Sequence, residues 1–292
     1  MKRAALALVA ALAVPAGLAA QTTVDQKHPA APDATVKIEN SAGSTKVTGW
    51  DRAEVQVRGT ICSRCELELD GTDKLVKIEI ESTHMNPMAG KSDIEVLVPA
   101  GASVSVEGFQ ATIVVAGVSG SVKAETVNGA LRHTGPSKEV SLQSVNGAVE
   151  TTKAQGRVNV EAVNGSVTVR DAGGEIEAST VNGLLTVTGG SFSRVQIETV
   201  SGGARFDAAL GPKAELSVES VSGSVELFFP ASFGGEFSVT TFSGPITNEL
   251  GPAAEKTNDF TPQRELTFTS GGGGARVSVE TLSGAVQIKK RP

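Results

Sequence analysis

Eight segments recur in order along this chain: ETVNGAL, QSVNGAV, EAVNGSV, STVNGLL, ETVSGGA, ESVSGSV, TTFSGPI and ETLSGAV. The Asn or Ser before the glycine falls at Asn128, Asn146, Asn164, Asn182, Ser201, Ser222, Ser243 and Ser283, at steps of 18, 18, 18, 19, 21, 21 and 40 residues. A fixed period of this size is the mark of a repeat architecture, in which each unit buries its apolar face only against its neighbours. The step of 40 covers about two periods and implies one divergent unit plus a loop. Counting 18 back from Asn128 reaches Gln110 in VSVEGFQATIVV, a degenerate first unit.

Aligned on that Asn or Ser, the chain becomes columnar. Six places before it stand Val122, Val140, Val158, Ile176, Val195, Leu216, Phe237 and Val277. Four before it the residue is again apolar, from Ala124 and Leu142 to Val279, and three after it the row runs from Leu131 to Val286. Apolar residues two apart are strand periodicity with one face buried. The intervening Asn-Gly or Ser-Gly is turn chemistry, because both residues tolerate positive φ. The apolar residue immediately before the Asn or Ser (Val127 to Leu282) has no settled side from this pattern, although strict alternation points it outward.

Two architectures fit. A row of β-hairpins uses Asn-Gly turns between alternating strands. A solenoid pairs each unit in parallel with the next, so that like residues stack about 4.8 Å apart. Hairpins do not require the same residue at the same place eight times, whereas a parallel stack does. The sequence therefore predicts an all-β fold, a parallel β-solenoid (β-helix) of roughly nine or ten coils with 18–21-residue repeats. Stacked Asn side chains would pass amide hydrogen bonds from coil to coil as a buried ladder.

The outward positions are also regular. Seven places before the Asn or Ser stand Glu139, Arg157, Glu175, Arg194, Glu215, Glu236 and Arg276, and the signs alternate over most of that run. Three places before it the column is rich in acid: Glu125, Glu161, Glu198, Glu219 and Glu280. These five form a candidate ligand-facing stripe, set against the plainer reading of a solvated face.

The opening VKIENSAGSTKVTGWDRAEVQVRGT, the IEVLVPAGASVSVEG segment, the VNG and VSG units and the closing FTSGGGGARVSVETLSGAVQI resemble an exported bacterial β-solenoid family of unknown function labelled putative adhesin. The resemblance runs from Val36 to Ile288. It implies a parallel β-solenoid at the cell envelope. It supplies no catalytic residues, and the Cys62–Cys65 pair lies outside its pattern.

Lys2 and Arg3, the apolar stretch from Ala4 to Val14 and the small residues Ala19 and Ala20 read as a secretory signal peptide over 1–20, cleaved before Gln21. The apolar run is shorter than the roughly 20 residues a membrane span needs. Residues 21–34 read as an extended leader, 35–100 as an N-terminal β region that starts or caps the solenoid, and 101–290 as the repeat. Export would remove two positive charges and take the net charge from −6 to −8. That acidic balance argues against nucleic acid as a partner. The expected location is the periplasm or cell surface.

Candidates for chemistry are few. Cys62-Ser-Arg-Cys65 in an exported chain points to a disulfide, with a free pair or a redox or metal role as alternatives. Structural zinc needs four ligands, and His28, His84 and His133 are scattered. Glycosidases need two carboxylates at set separations, but any stacked Glu column supplies such separations automatically. The sequence thus points to a non-catalytic envelope scaffold, structural or adhesive, without cofactor, whose partners are envelope proteins or surface glycans. An envelope-stress sensor or regulatory binding protein and a polysaccharide-active β-helix enzyme are the alternatives.

Overall fold

In a computed structural model, residues 21–82, 90–256, 261–272 and 274–291 are described; residues 1–20, read above as a signal peptide, and His84 lie outside them. The protein is all-β, with no helix among the described residues. In chain order the strands are β1 (Thr22–Pro29), β2 (Thr35–Asn40), β3 (Ala42–Trp50), β4 (Glu54–Ile61), β5 (Cys65–Gly71), β6 (Leu75–Ser82) and β7 (Ser92–Pro99). There follow β8 (Ser103–Gly108), β9 (Gln110–Ala116), β10 (Ser121–Asn128), β11 (Leu131–Thr134), β12 (Glu139–Asn146) and β13 (Val149–Thr152). Next come β14 (Gln155–Asn164), β15 (Val167–Arg170), β16 (Gly173–Asn182), β17 (Leu185–Ser201), β18 (Ala204–Ser222) and β19 (Val225–Phe229). The last are β20 (Gly235–Ser243), β21 (Ile246–Asn248), β22 (Glu255–Lys256), β23 (Arg264–Ser270), β24 (Ala275–Ser283) and β25 (Val286–Lys290).

Two ladders run side by side. The first is ordered β5, β6, β2, β8, β10, β12, β14, β16, β17, β18, β24, β20, β23, β22. The second is ordered β1, β4, β7, β3, β9, β11, β13, β15, β17, β18, β19, β25, β21. Across the middle the pairing is parallel and joins repeat-equivalent residues, such as Val140 to Val158 and Asn146 to Asn164. The strand orientation is nevertheless mixed, which corrects the expectation of a uniformly parallel stack. At one end β4 and β5 pair antiparallel with β7 and β6; at the other β23 pairs antiparallel with β20. A parallel stack leaves an open edge of unpaired backbone groups at each end, and a hairpin laid over that edge covers it.

The chain order is also not the stacking order. Strands β24 and β25 lie between β18–β19 and β20–β21, and β2–β3 lie between β6–β7 and β8–β9. Both terminal units are tucked one layer inside their end of the stack. Arg291 reaches back to Asp207 Oδ1 at 2.7 Å. Within the extended 21–34 stretch, residues 22–29 form strand β1, hydrogen-bonded along β4.

The rows six and four before the Asn or Ser, and the row three after it, fill the interior; Val158, Val160 and Val167 are fully buried. The larger interior near β17–β20 is filled by Phe192, Phe206, Phe229 and Phe237, with successive ring centroids 6.5, 6.1 and 5.6 Å apart. The glycine after the Asn or Ser has a different cause from the one its turn chemistry suggests. Gly147, Gly165 and Gly183 do not adopt left-handed φ. A Cβ on each would collide with the carbonyl oxygen of the equivalent glycine one rung back, so close approach of the rungs requires glycine here.

Candidate functional site

The turn after each long strand builds a concave strip along the stack. The residue two before the Asn or Ser is small or hydroxylic and points inward. Thr126 Oγ1 donates to the Ala111 carbonyl, Ser144 Oγ to that of Gly129 and Thr180 Oγ1 to that of Gly165, each at 3.1 Å. Alternation then throws the next residue outward. Val145, Val163, Val181, Val200, Val221, Leu282 and Phe242 are all 38–55% exposed. They account for seven of the ten exposed large hydrophobics among the described residues, and Phe109 heads the same row. A contiguous apolar strip of this kind is a candidate interaction surface, whereas scattered exposed apolar residues need no explanation.

On the other side of the recessed Thr and Ser floor runs the acidic row. The register aligns Glu125, Gln143, Glu161, Ser179, Glu198, Glu219, Glu280 and Thr240. The five acids read from the repeat are thus brought into one column. It also continues where the repeat is not legible, through Glu107, Glu39 and Glu79 to Glu68. Glu161 accepts from Asn159 at 3.2 Å and Glu198 from Gln196 at 2.7 Å. Of those five acids only Glu125 has a cationic partner among the described residues, Lys123 at 2.8 Å. Like charges directly opposite across a ladder destabilise it, and among these five acids Glu198, Glu219 and Glu280 stand directly opposite one another without a cationic partner among the described residues.

Between the two rows lie two troughs, of about 740 and 450 Å³. The larger is bounded by Glu198, Glu219 and Glu280 on one side and Val200, Val221, Phe242 and Leu282 on the other. The smaller continues it from Val181 towards Glu107.

The neighbouring charged column behaves in the opposite way. In stacking order it reads Glu139, Arg157, Glu175, Arg194, Glu215, Arg276, Glu236, which alternates without a break. Arg194 and Arg276 both reach Glu215, at 3.1 Å. The interruption in the chain-order reading was the insertion of β24 between β18 and β20.

The Asn row forms the expected chain of amides. Asn146, Asn164 and Asn182 each donate Nδ2 to the Oδ1 of the Asn one rung back, at 2.9, 3.0 and 2.9 Å. The ladder is exposed rather than buried, because the chain turns outward at this point. It continues in register as Ser201, Ser222, Ser283 and Ser243. Cys62 and Cys65 are joined in a disulfide on the turn between β4 and β5.

One buried group escaped the sequence reading. His133 is fully buried in the second ladder, paired with Val115 on one side and Thr151 on the other. Its Nδ1 lies 2.9 Å from Thr151 Oγ1 and its Nε2 2.9 Å from Ser137 Oγ. Burial lowers its pKa to about 4. Both ring nitrogens are engaged inside the core, so this imidazole serves packing rather than surface chemistry. Among the described residues no group of three His, Cys, Asp or Glu is arranged to hold a metal ion.

The Toastrack DUF4097 family model matches residues 30–289. No curated protein matches the chain. Among solved structures, a putative adhesin from Parabacteroides distasonis is 10% identical, with a TM-score of 0.48 over 93% of this chain and 98% of that one. A putative adhesin from Bacteroides fragilis is 10% identical, with a TM-score of 0.47 over 94% and 100%. A putative lipid binding protein from Parabacteroides distasonis is 10% identical, with a TM-score of 0.42 over 91% and 96%.

Proposed function

The chain belongs to the Toastrack DUF4097 family, and from that premise we propose that it is an exported, non-catalytic protein of the cell envelope. We read its rungs as the coils of a β-solenoid and its role as a scaffold, structural or adhesive, that holds envelope proteins or surface glycans. The 1–20 segment is its export signal in this reading, with strand β1 beginning the mature protein. No helix among the described residues is long and apolar enough to cross a membrane.

The observation that carries the reading is the exposed apolar row beside the acidic one. A solvated rod needs neither, and side chains repeated at one spacing let many weak contacts add by multivalency. The same defined strip favours, as a second reading, a regulatory binding protein with one dedicated partner. Pull-down of the mature protein from its native envelope tests both. Retention of several surface components or glycans supports the scaffold. One stoichiometric partner supports the regulatory reading. Absence of the protein from envelope fractions defeats both. The enzymatic alternative rests on the Glu column alone. Glycan turnover abolished by Glu198→Gln or Glu219→Gln would establish it in place of the scaffold.

A further inference from the structure

We propose that the trough is a docking groove for a cationic amphipathic α-helix of a partner protein, lying along the stack. This inference rests on the reading of the chain as a binding protein and specifies the chemistry of what it binds.

Three features of the trough select that occupant. The first is charge. Glu198, Glu219 and Glu280 are consecutive in the stack, exposed, and without a cationic partner among the described residues. The alternating column nearby shows that this fold pairs opposite charges from rung to rung where it carries them. A partner bearing Lys or Arg along one edge relieves the repulsion that the protein retains. The second is apolarity. The row opposite ends in Val221, Leu282 and Phe242, beside those same acids. A ligand must therefore present an apolar stripe and a basic stripe side by side, which is the pattern of an amphipathic helix.

The third is the backbone. The rungs that line the trough bond to the rungs above and below them, so it offers side chains but no free strand edge. An extended peptide laid here would leave its own amides without partners, whereas a helix satisfies them internally. The lengths agree. Eight rungs from Val127 to Phe242 span roughly 34 Å at about 4.8 Å per rung. A helix of about 22 residues covers that distance. Its turn of about 5.4 Å places close to one apolar and one basic residue over each rung.

The test uses the mature protein and a synthetic 22-residue peptide of Leu and Lys at helical spacing. Two peptides serve as controls: the same design with Glu for Lys, and the Leu/Lys peptide with a central proline. The Leu/Lys peptide is expected to bind at least tenfold tighter than either control. It should gain helicity on binding, and lose at least tenfold in affinity when NaCl is raised from 50 to 500 mM. The variant Glu198→Gln/Glu219→Gln/Glu280→Gln and the variant Val200→Thr/Val221→Thr/Leu282→Thr/Phe242→Thr should each weaken binding at least tenfold. Both sets of changes lie on the surface, and an unchanged melting curve verifies that the fold is intact.

Equal affinity for all three peptides, or variants that bind as the wild type does, would overturn the inference. So would a wild-type dimer that the apolar-row variant turns into a monomer, since the occupant would then be a second copy. Failure here with envelope partners still retained in the pull-down rejects the helix and leaves the scaffold standing. A protein absent from the envelope rejects the scaffold whatever the peptides do.

Discussion

The middle of the stack and its two ends solve the same problem by different means. From β10 to β18 every rung is supported by a near copy of itself, so the residue that fits one rung fits the next. At the ends there is no further copy. Strands β4 and β5 turn antiparallel over one end and β23 over the other, and each terminal unit is slipped inside the last rung. The middle is therefore governed by column identity, and substitutions there act on a shared interface. The ends are governed by coverage of an edge, and a wider range of sequence achieves it.

The largest expected effect lies in the middle. Val160 is fully buried, stacked between Leu142 and Ala178. Val160→Asp places an unpaired carboxylate in that column and should cost about 4 kcal/mol or more, enough to prevent folding. Glu161→Ala, one residue on but facing outward, should stay within about 0.5 kcal/mol. Chemical denaturation of the two variants checks this, and equal effects would mean that the faces are reversed.

Glycine draws the contrast between middle and end directly. Gly165→Ala drives a methyl into the Gly147 carbonyl of the rung behind and should cost about 3 kcal/mol, the upper range for overpacking. A methyl on Gly272, in the turn between β23 and β24, would meet nothing within 4 Å, and this glycine has no left-handed φ. Gly272→Ala should be neutral or slightly stabilising, because it restricts the unfolded chain. Melting temperatures of the pair decide whether the close approach of rungs is peculiar to the repeat.

These two pairs also mark how far the sequence could be read. Column membership was legible because strand alternation and an 18-residue period fix which side chains face in, and Val160 and Glu161 fall on their assigned sides. The acids Glu125, Glu161, Glu198, Glu219 and Glu280 were legible for the same reason. The insertion of β24 was not, since chain order is the default order of a repeat. Its one trace was the break in sign at Glu215, Glu236, Arg276, which a reading that demanded alternation would have repaired. The apolar row from Val127 to Phe242 has no settled side in the sequence, because inward positions carry valine too and only strict alternation points the row outward. The fates of the ends depend on edges that a periodic pattern does not contain.

His133 interrupts the middle from within. Its ladder neighbours beyond Thr151 are Val169 and Val187, so it and Thr151 form a polar pair in an otherwise apolar column. Its pKa in the folded protein, about 4, lies below the ordinary value near 6.5. As pH falls, the unfolded chain takes up the proton first. The stability linked to neutral His133 is whole above pH 6.5 and drains away between 6.5 and 4, by about 3 kcal/mol. Glu95, held below its ordinary value by hydrogen bonds from Lys46 and Arg58, and Glu226, held below it by Lys289, add their own loss of stability once pH falls to the ordinary carboxylate value near 4.5 and below. The double variant His133→Val/Thr151→Val removes the stacked polar pair together, and Ser137 keeps its bond to the Val118 carbonyl. It should melt near the wild type at pH 7.5 and lose the decline between pH 6.5 and 4. A wild-type melting temperature that is flat across that window would contradict the burial of a neutral imidazole.

A smaller loss than those of the core and glycine changes concerns the feature that is most conspicuous in the sequence. Asn164 donates to Asn146 and accepts from Asn182, so it sits in the centre of the amide ladder. Were that ladder buried, Asn164→Leu would leave two amides without partners in the core. It is exposed, and water replaces either bond on the solvent side. The ladder also gives way to Ser from Ser201 onward without a change of register, so the rungs do not depend on the amide for alignment. Asn164→Leu should therefore cost about 0.5–1 kcal/mol, and Asn164→Ser less. A loss of about 3 kcal/mol in the Leu variant, measured by urea titration, would show that the ladder holds the rungs together. In that case the ends, which lack it, should be the first part of the stack to open in hydrogen exchange. With the small loss expected here, the glycines beside the ladder set the spacing of the rungs, and the Asn row follows it.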